Sequence, residues 1–340
     1  MPETIEQSSD TAPAKRASRR PGAGDLLQVG RGMLMGAADV VPGVSGGTVA
    51  LILGIYDRLV GAISRVDGTL LEHVKRRDWK AAATHVDLRF LVPLLLGVGL
   101  GIALFAKGIH YLLFHHTQET FAAFFGLIAG SSVLVGRMVN RWSLMEVVGL
   151  VAGLAFAVWL VEQPLLRDPP NTLLYLFMCG VIAICAMILP GISGSFILLL
   201  LGKYPEVIGL VKETLHLNIT ADSLLKLSVF AAGCLIGLLS FSRFLKWLLG
   251  RHEPQTLAVL CGFMLGSLSK LWPFQRIVPG TEGQKSFVTE RLDWSSIPHD
   301  GRFFAIWGIL IGAILLVLVL DWVTRGRFQH PHLDETASDR

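Results

Sequence analysis

Long apolar runs dominate the chain, separated by short polar stretches. They fall at about 31–62, 90–113, 119–139, 143–162, 172–210, 223–249, 255–273 and 302–324. About 20 apolar residues in a helix cross the roughly 30 Å of bilayer hydrocarbon. Six of the runs therefore read as single membrane-spanning helices. The runs 31–62 and 172–210 are longer, and a similar phrase interrupts each of them midway. It is "DVVPGVSGGT" from Asp39 to Thr48 and "MILPGISGSF" from Met187 to Phe196. Proline has no amide hydrogen and clashes with the preceding turn, and glycine admits left-handed geometry. Each long run is thus predicted to be two helical arms around a break.

The breaks belong to a duplication. "VVPGVSGGTVALILGIYDRLV" (40–60) aligns on "ILPGISGSFILLLLGKYPEVI" (188–208) without a gap, with 8 identities in 21 positions. These pair Pro42 with Pro190, Gly43 with Gly191, Ser45 with Ser193, Gly46 with Gly194, Gly54 with Gly202 and Tyr56 with Tyr204, besides two leucines. At an offset of 136, Gly97, Gly101, His116, Thr120, Gly126, Gly130 and Ser131 match Gly233, Gly237, His252, Thr256, Gly262, Gly266 and Ser267. Leucines match by chance in such sequences, whereas ordered glycine, serine and histidine matches do not. The predicted organisation is a polar N-terminal tail (1–27), repeat 1 (28–165), repeat 2 (166–325) and a C-terminal tail (326–340). Each repeat holds one broken hairpin and three helices. Whether the hairpin is re-entrant or its arms both span, one repeat crosses an odd number of times, so the second is expected to be inverted.

Loop charges fit the re-entrant version with both termini cytoplasmic. Loop 64–89 carries Arg65, Lys75, Arg76, Arg77, Lys80 and Arg89 on the inner side, whereas "HHTQE" (115–119) on the outer side has no Lys or Arg. Arg137, Arg141, Arg243, Lys246, Arg251, Arg325 and Arg327 also fall inside. Loop 274–301, with three basic residues outside, runs against the trend.

Composition agrees with the pattern. Of 340 residues, 52% are hydrophobic and 16% charged, against about 25% charged in soluble domains. An all-α polytopic membrane protein is predicted. The net charge of +4 is spread over loops without a basic, aromatic-interleaved stripe, so nucleic acid is not an expected partner. Cys179, Cys185, Cys234 and Cys261 lie in apolar runs without CxxC spacing, which reads as packing rather than a disulfide or metal site. The N-terminal stretch lacks the apolar core of a signal peptide and reads as a tail with a basic end. HExxH and P-loop fingerprints, and a dinucleotide fingerprint in a strand context, are missing, and Ser45 and Ser193 have no evident base. Neither an enzyme nor a cofactor is expected.

The breaks carry the candidate chemistry. A half-helix that starts inside the membrane exposes unpaired N–H groups, tolerated only where protein or a polar cavity receives them. Such an end attracts anions, and Ser45 or Ser193 can cap it. One PG-x-SG alone reads as a kink. Two copies at equivalent positions read as a pseudo-symmetric site for a phosphate or carboxylate. Asp39 is an acid in an apolar run, suited to carry a proton or to orient Arg31; its repeat counterpart is Met187. Tyr56 and Tyr204 read first as interfacial anchors. Arg58 and Lys203 could meet a phosphate or snorkel. His116 and His252 read as turn residues. The GxxxG pairs pack helices closely, within one chain or in a homo-oligomer.

"GAADVVPGVSGGTVALILGIYDRL" and "ILPGISGSFILLLLGKYPEVI" resemble the signature segments of the bacterial polyprenyl-phosphate transporters called PopT, also described as domain-of-unknown-function family 368. The resemblance covers about 28–325. The second motif is the looser copy, with Ser195 and Phe196 where the first has Gly47 and Thr48. It implies undecaprenyl phosphate as the lipid substrate, returned across the bacterial cytoplasmic membrane for reuse in envelope synthesis. On that reading Pro42, Gly43, Ser45, Gly46, Gly47 and Thr48 face Pro190, Gly191, Ser193, Gly194 and Ser195 around the phosphate. The two halves alternate access, and Asp39 is the candidate for proton coupling. A transporter or channel for a small soluble anion, and a membrane enzyme acting on a lipid phosphate, stay open beside it.

Overall fold

A computed structural model describes residues 23–324, apart from 41–44, 164, 165, 167, 216–219, 279–287, 298 and 299. The first half contains α1 (Ala23–Asp39), α2 (Gly46–Ile52), α3 (Tyr56–Ser64), α4 (Gly68–Lys75), α5 (Trp79–His85), α6 (Leu88–His115), α7 (Thr117–Met138) and α8 (Leu144–Val161). The second contains α9 (Leu173–Ile188), α10 (Gly194–Leu200), α11 (Tyr204–Leu215), α12 (Ala221–Arg251), α13 (Glu253–Ser267) and α14 (Gly301–Thr324). Between α13 and α14 lies an antiparallel ribbon of β1 (Gln275–Val278) and β2 (Val288–Arg291). The protein is an all-α polytopic membrane protein, with this ribbon as its one departure among the described residues. α1 begins at Ala23, within the stretch 1–27 read as the N-terminal tail. Most of that tail and all of the C-terminal one lie outside the described residues.

Local signals set the helix starts. Ser143 and Glu146 form a capping box on α8, Thr220 and Ser223 one on α12, and Thr172 accepts from the Tyr175 amide at the start of α9. Among the described residues α6, α7, α8, α12 and α14 are long and apolar enough to cross a bilayer. The run 255–273, expected to be a single helix, is not one. α13 ends at Ser267, and the amides of Leu268 to Leu271 then bond three residues back in a tighter 3₁₀ coil. Large apolar side chains such as Leu144, Leu235 and Leu315 stand exposed on the long helices, as a lipid-facing surface requires.

Equivalent helices have equivalent partners. α1 packs along α6 as α9 packs along α12, and α7 packs along α14 as α13 packs along α8. The last two pairings interleave the halves. The matched glycines make these contacts possible. A Cβ on Gly97 would come within 2.2 Å of Val29 O, and one on Gly233 within 2.2 Å of Phe177 O. At Gly126 it would meet Leu310 O at 2.3 Å, and at Gly262 Leu150 O at 2.2 Å. All these neighbours belong to the same chain, so close packing within one copy accounts for the GxxxG pairs. The corner between α6 and α7 repeats between α12 and α13. His116 (φ −133°, ψ 50°) and His252 (φ −135°, ψ 48°) adopt one conformation. The Thr120 and Thr256 hydroxyls donate to their carbonyls at 2.6 and 2.7 Å.

Candidate functional site

Each long broken run folds as a hairpin of helices. In the second half α10 runs back along α9: Gly194 lies against Ala183 O, and the Tyr175 hydroxyl donates to Leu201 O at 2.9 Å. In the first half α2 packs on α1 in the same way. Both second arms then bend by 119° into α3 and α11. These bends were not anticipated from the sequence, although the matched Gly54 and Gly202 mark them. Both glycines have positive φ, 64° and 68°. Gly54 and Ile55 donate to Leu51 O and Ala50 O; Gly202 and Lys203 donate to Leu199 O and Leu198 O. This is the Schellman closure in both copies, and it needs glycine at the left-handed position.

The structure brings the two breaks into direct contact. α9 ends where Ile188 and Leu189 pack against the core, so its last carbonyls need donors. The first half supplies them. The Ser45 hydroxyl lies 3.3 Å from both Met187 O and Leu189 O, and the Tyr56 hydroxyl donates to Ile188 O at 3.1 Å. In return the Gly191 amide donates to Thr48 Oγ1 at 2.9 Å. Ser45, Thr48 and Tyr56 are all buried, with 1%, 1% and 2% of their surfaces exposed. Tyr56 is therefore not an interfacial anchor, as read from the sequence, but a donor inside the junction. Gly47 must be glycine because a Cβ there would lie 2.9 Å from Ile188 O. Gly191 (φ 86°) is wedged between Thr48 and α13, where a Cβ would sit 2.9 Å from Met264 Cα.

The two tips differ in how their half-helices are capped. Ser45 caps α2, accepting from the Gly47 amide at 3.1 Å. The Asp39 carboxylate takes the Gly46 amide at 2.7 Å. The start of α2 thus already holds an internal anion. Among the described residues no cation pairs with Asp39, and Arg31 bonds Gln28 instead. Of the two roles read for Asp39, orienting Arg31 is therefore not seen among the described residues. Ser193 occupies the cap position of α10 without capping it, because its hydroxyl bonds Ser195 at 2.8 Å. The amides of Gly194 and Ser195 have no partner among the described residues. Pro190 is buried in the second break. Pro42 and Gly43 lie outside the described residues.

The remaining candidates sit away from the junction. Arg58 pairs with Asp87 at 2.7 Å, lies over the Phe90 ring and is half exposed. Lys203 is buried beside Tyr175 and neutralised by Glu206 at 2.6 Å. Tyr204 is half-buried in the cluster around α9 and α10. None of the three meets the junction.

Two features at the second break were not read from the sequence. A cleft beside it is lined by Gly191, Ser193, Phe196, Ser267 and Lys270, with Leu160 across from them. Lys270 is the only charged residue in the run 255–273, the signal that could have found it. On another side, a largely apolar groove of about 300 Å³ between α12 and α13 reaches Leu189; Phe241, Leu245 and Phe263 line it, with Gln255 and Thr256 at its polar positions. Alternating hydrophobicity carries no signal for such a groove.

Comparison with known proteins places these features in context. A family model described as "Undecaprenyl phosphate translocase-like" matches residues 35–288, which include both breaks. A polyprenyl-phosphate transporter of Vibrio cholerae is 46% identical over 246 residues, 72% of this chain and 77% of that protein. A polyprenyl-phosphate transporter of Staphylococcus aureus is 31% identical over 258 residues, 73% of this chain and 86% of that protein. No solved structure matches the chain.

Proposed function

The chain belongs to the undecaprenyl phosphate translocase-like family, and on that premise we propose that it carries undecaprenyl phosphate, or a related polyprenyl phosphate, across the bacterial cytoplasmic membrane. It acts as a transporter and not as an enzyme. The observation that carries the reading is the polar junction where Ser45, Thr48 and Tyr56 of one hairpin hold the break of the other. A lipid phosphate needs a polar route only for its headgroup. The junction offers one inside an apolar bundle, and the apolar groove reaching Leu189 suits the start of a prenyl chain.

In this mechanism the two repeats, 28–165 and 166–325, are inverted relative to each other, with both termini cytoplasmic. The halves rock about the junction, and the hairpins expose the phosphate path to one leaflet and then the other. The equivalent packing of α1 on α6 and α9 on α12 supports two related bodies. Hydroxyls and amides of Ser45, Gly46, Gly47, Thr48, Gly191, Ser193, Gly194 and Ser195 are the groups available to the headgroup as the junction opens. Asp39 is an acid bonded to a backbone amide with no cation among the described residues. Protonation would weaken its hold on Gly46 and couple opening to the proton gradient.

The test is leaflet exchange of labelled undecaprenyl phosphate in liposomes containing the purified protein. Exchange well above protein-free liposomes, reduced by Ser45→Ala with Ser193→Ala, is the expected result. Folded protein that leaves exchange at the protein-free rate refutes the proposal.

A further inference from the structure

We propose that Lys270 receives the phosphate headgroup at the second break, an inference that rests on the lipid-phosphate function above. The 3₁₀ coil after α13 carries Lys270 to the cleft beside Gly191, Ser193 and Ser267. Its ammonium lies 5.3 Å from the Phe196 ring centroid, so the side chain turns toward the break. Among the described residues no carboxylate pairs with it, in contrast to Arg58 with Asp87 and Lys203 with Glu206. A second cation stands behind it: the Arg291 guanidinium donates to Ser269 O at 2.6 Å, one residue away.

A half-buried ammonium without a counter-ion is costly in a membrane protein. An incoming anion removes that cost, and a phosphate monoester suits a point charge flanked by hydroxyls. The cleft has room for about one water-sized sphere, about 10 Å³. One phosphate oxygen fits within it, and the rest of the headgroup stays at the mouth against Lys270. The first half has Leu134 at the matching position, so this cation marks one hairpin only. Lys270 thereby gives the duplicated site a preferred side for the anion.

The probe is farnesyl phosphate, with farnesol and inorganic phosphate as parallel arms, titrated against the full chain in detergent. A hydrogen bond to a charged group contributes enough to predict roughly a 10-fold or greater loss of farnesyl phosphate affinity in Lys270→Gln. Lys270→Arg keeps affinity within about threefold, and farnesol binding is unchanged in both. An independent measurement needs no variant. In the wild-type chain farnesyl phosphate, but not farnesol, slows acetylation of Lys270 relative to exposed Lys80, read by mass spectrometry. Wild-type binding of farnesyl phosphate with an unaffected Lys270→Gln, or with no protection of Lys270, overturns this site and leaves the transport reading standing. Equal protection by inorganic phosphate alone and no binding of farnesyl phosphate overturns the lipid substrate itself.

Discussion

Replacing Thr48 with valine isolates the bond that locks the two breaks together. Valine keeps the branched shape and removes only the acceptor, so the Gly191 amide loses its partner while little room opens around it. Thr48 is 1% exposed, and Gly191 is held against Met264 on its other side, so water cannot easily replace the hydroxyl. A stranded buried donor costs about 1–3 kcal/mol. The added methyl recovers less than the ~0.8 kcal/mol of a buried methylene. The net penalty is roughly 1–2 kcal/mol, a factor of about 5–30 in the population with the junction open. Hydrogen exchange by mass spectrometry on a peptide spanning 186–194 reads this locally. Exchange there should accelerate by about that factor in Thr48→Val, while peptides from α8 and α14 keep their wild-type rates. Thr48→Ser, which retains an acceptor, should restore most of the protection. Wild-type exchange across 186–194 in Thr48→Val would refute the argument that this hydroxyl holds the breaks closed.

Four further outcomes follow from contacts of the same kind. Tyr56→Phe strips a donor from Ile188 O and should lower stability by about 1 kcal/mol, seen as a reduced Tm in detergent with α-helical circular dichroism unchanged. Asp39→Asn keeps an acceptor for the Gly46 amide but cannot carry charge. It should fold normally and lose any dependence of exchange on an imposed proton gradient, and an unchanged gradient response removes Asp39 from coupling. Asp39→Ala also strands the Gly46 amide and should lower the Tm further. Gly126→Leu forces a side chain where even a Cβ would lie 2.3 Å from Leu310 O; overpacking of about 1–3 kcal/mol or more should separate α7 from α14 and show as poor yield of folded protein.

The junction residues Ser45 and Gly191 were legible because proline, glycine and serine recur in register in a sequence otherwise made of leucine and valine, and Thr48 because it lies in the same phrase. The GxxxG pairs were legible for the same reason. Tyr56 was misread, because a tyrosine at the end of an apolar run looks the same whether it faces headgroups or a neighbouring carbonyl. Ser193 was misread because a serine at a cap position has a second choice, here the Ser195 hydroxyl. Arg58 and Lys203 could be read from the sequence as phosphate ligands or as snorkelling side chains; the structure sets Asp87 and Glu206 beside them, 29 and 3 residues away in sequence.

Chain chemistry alone determined that this protein lives in a bilayer as helices, where its helices break, and that the breaks come in two copies. Those features depend on local backbone preference and on transfer of side chains from water, which are properties of residues in order. Tertiary structure decided which carbonyls meet which hydroxyls, that α7 and α13 cross to the third helix of the other half, and that Lys270 reaches the second break. In lipid a helix is apolar toward both its neighbours and the solvent, so hydrophobic pattern cannot choose its partner. That choice rests on glycine-scale contacts and on where buried donors find acceptors, and both exist only once the helices have met.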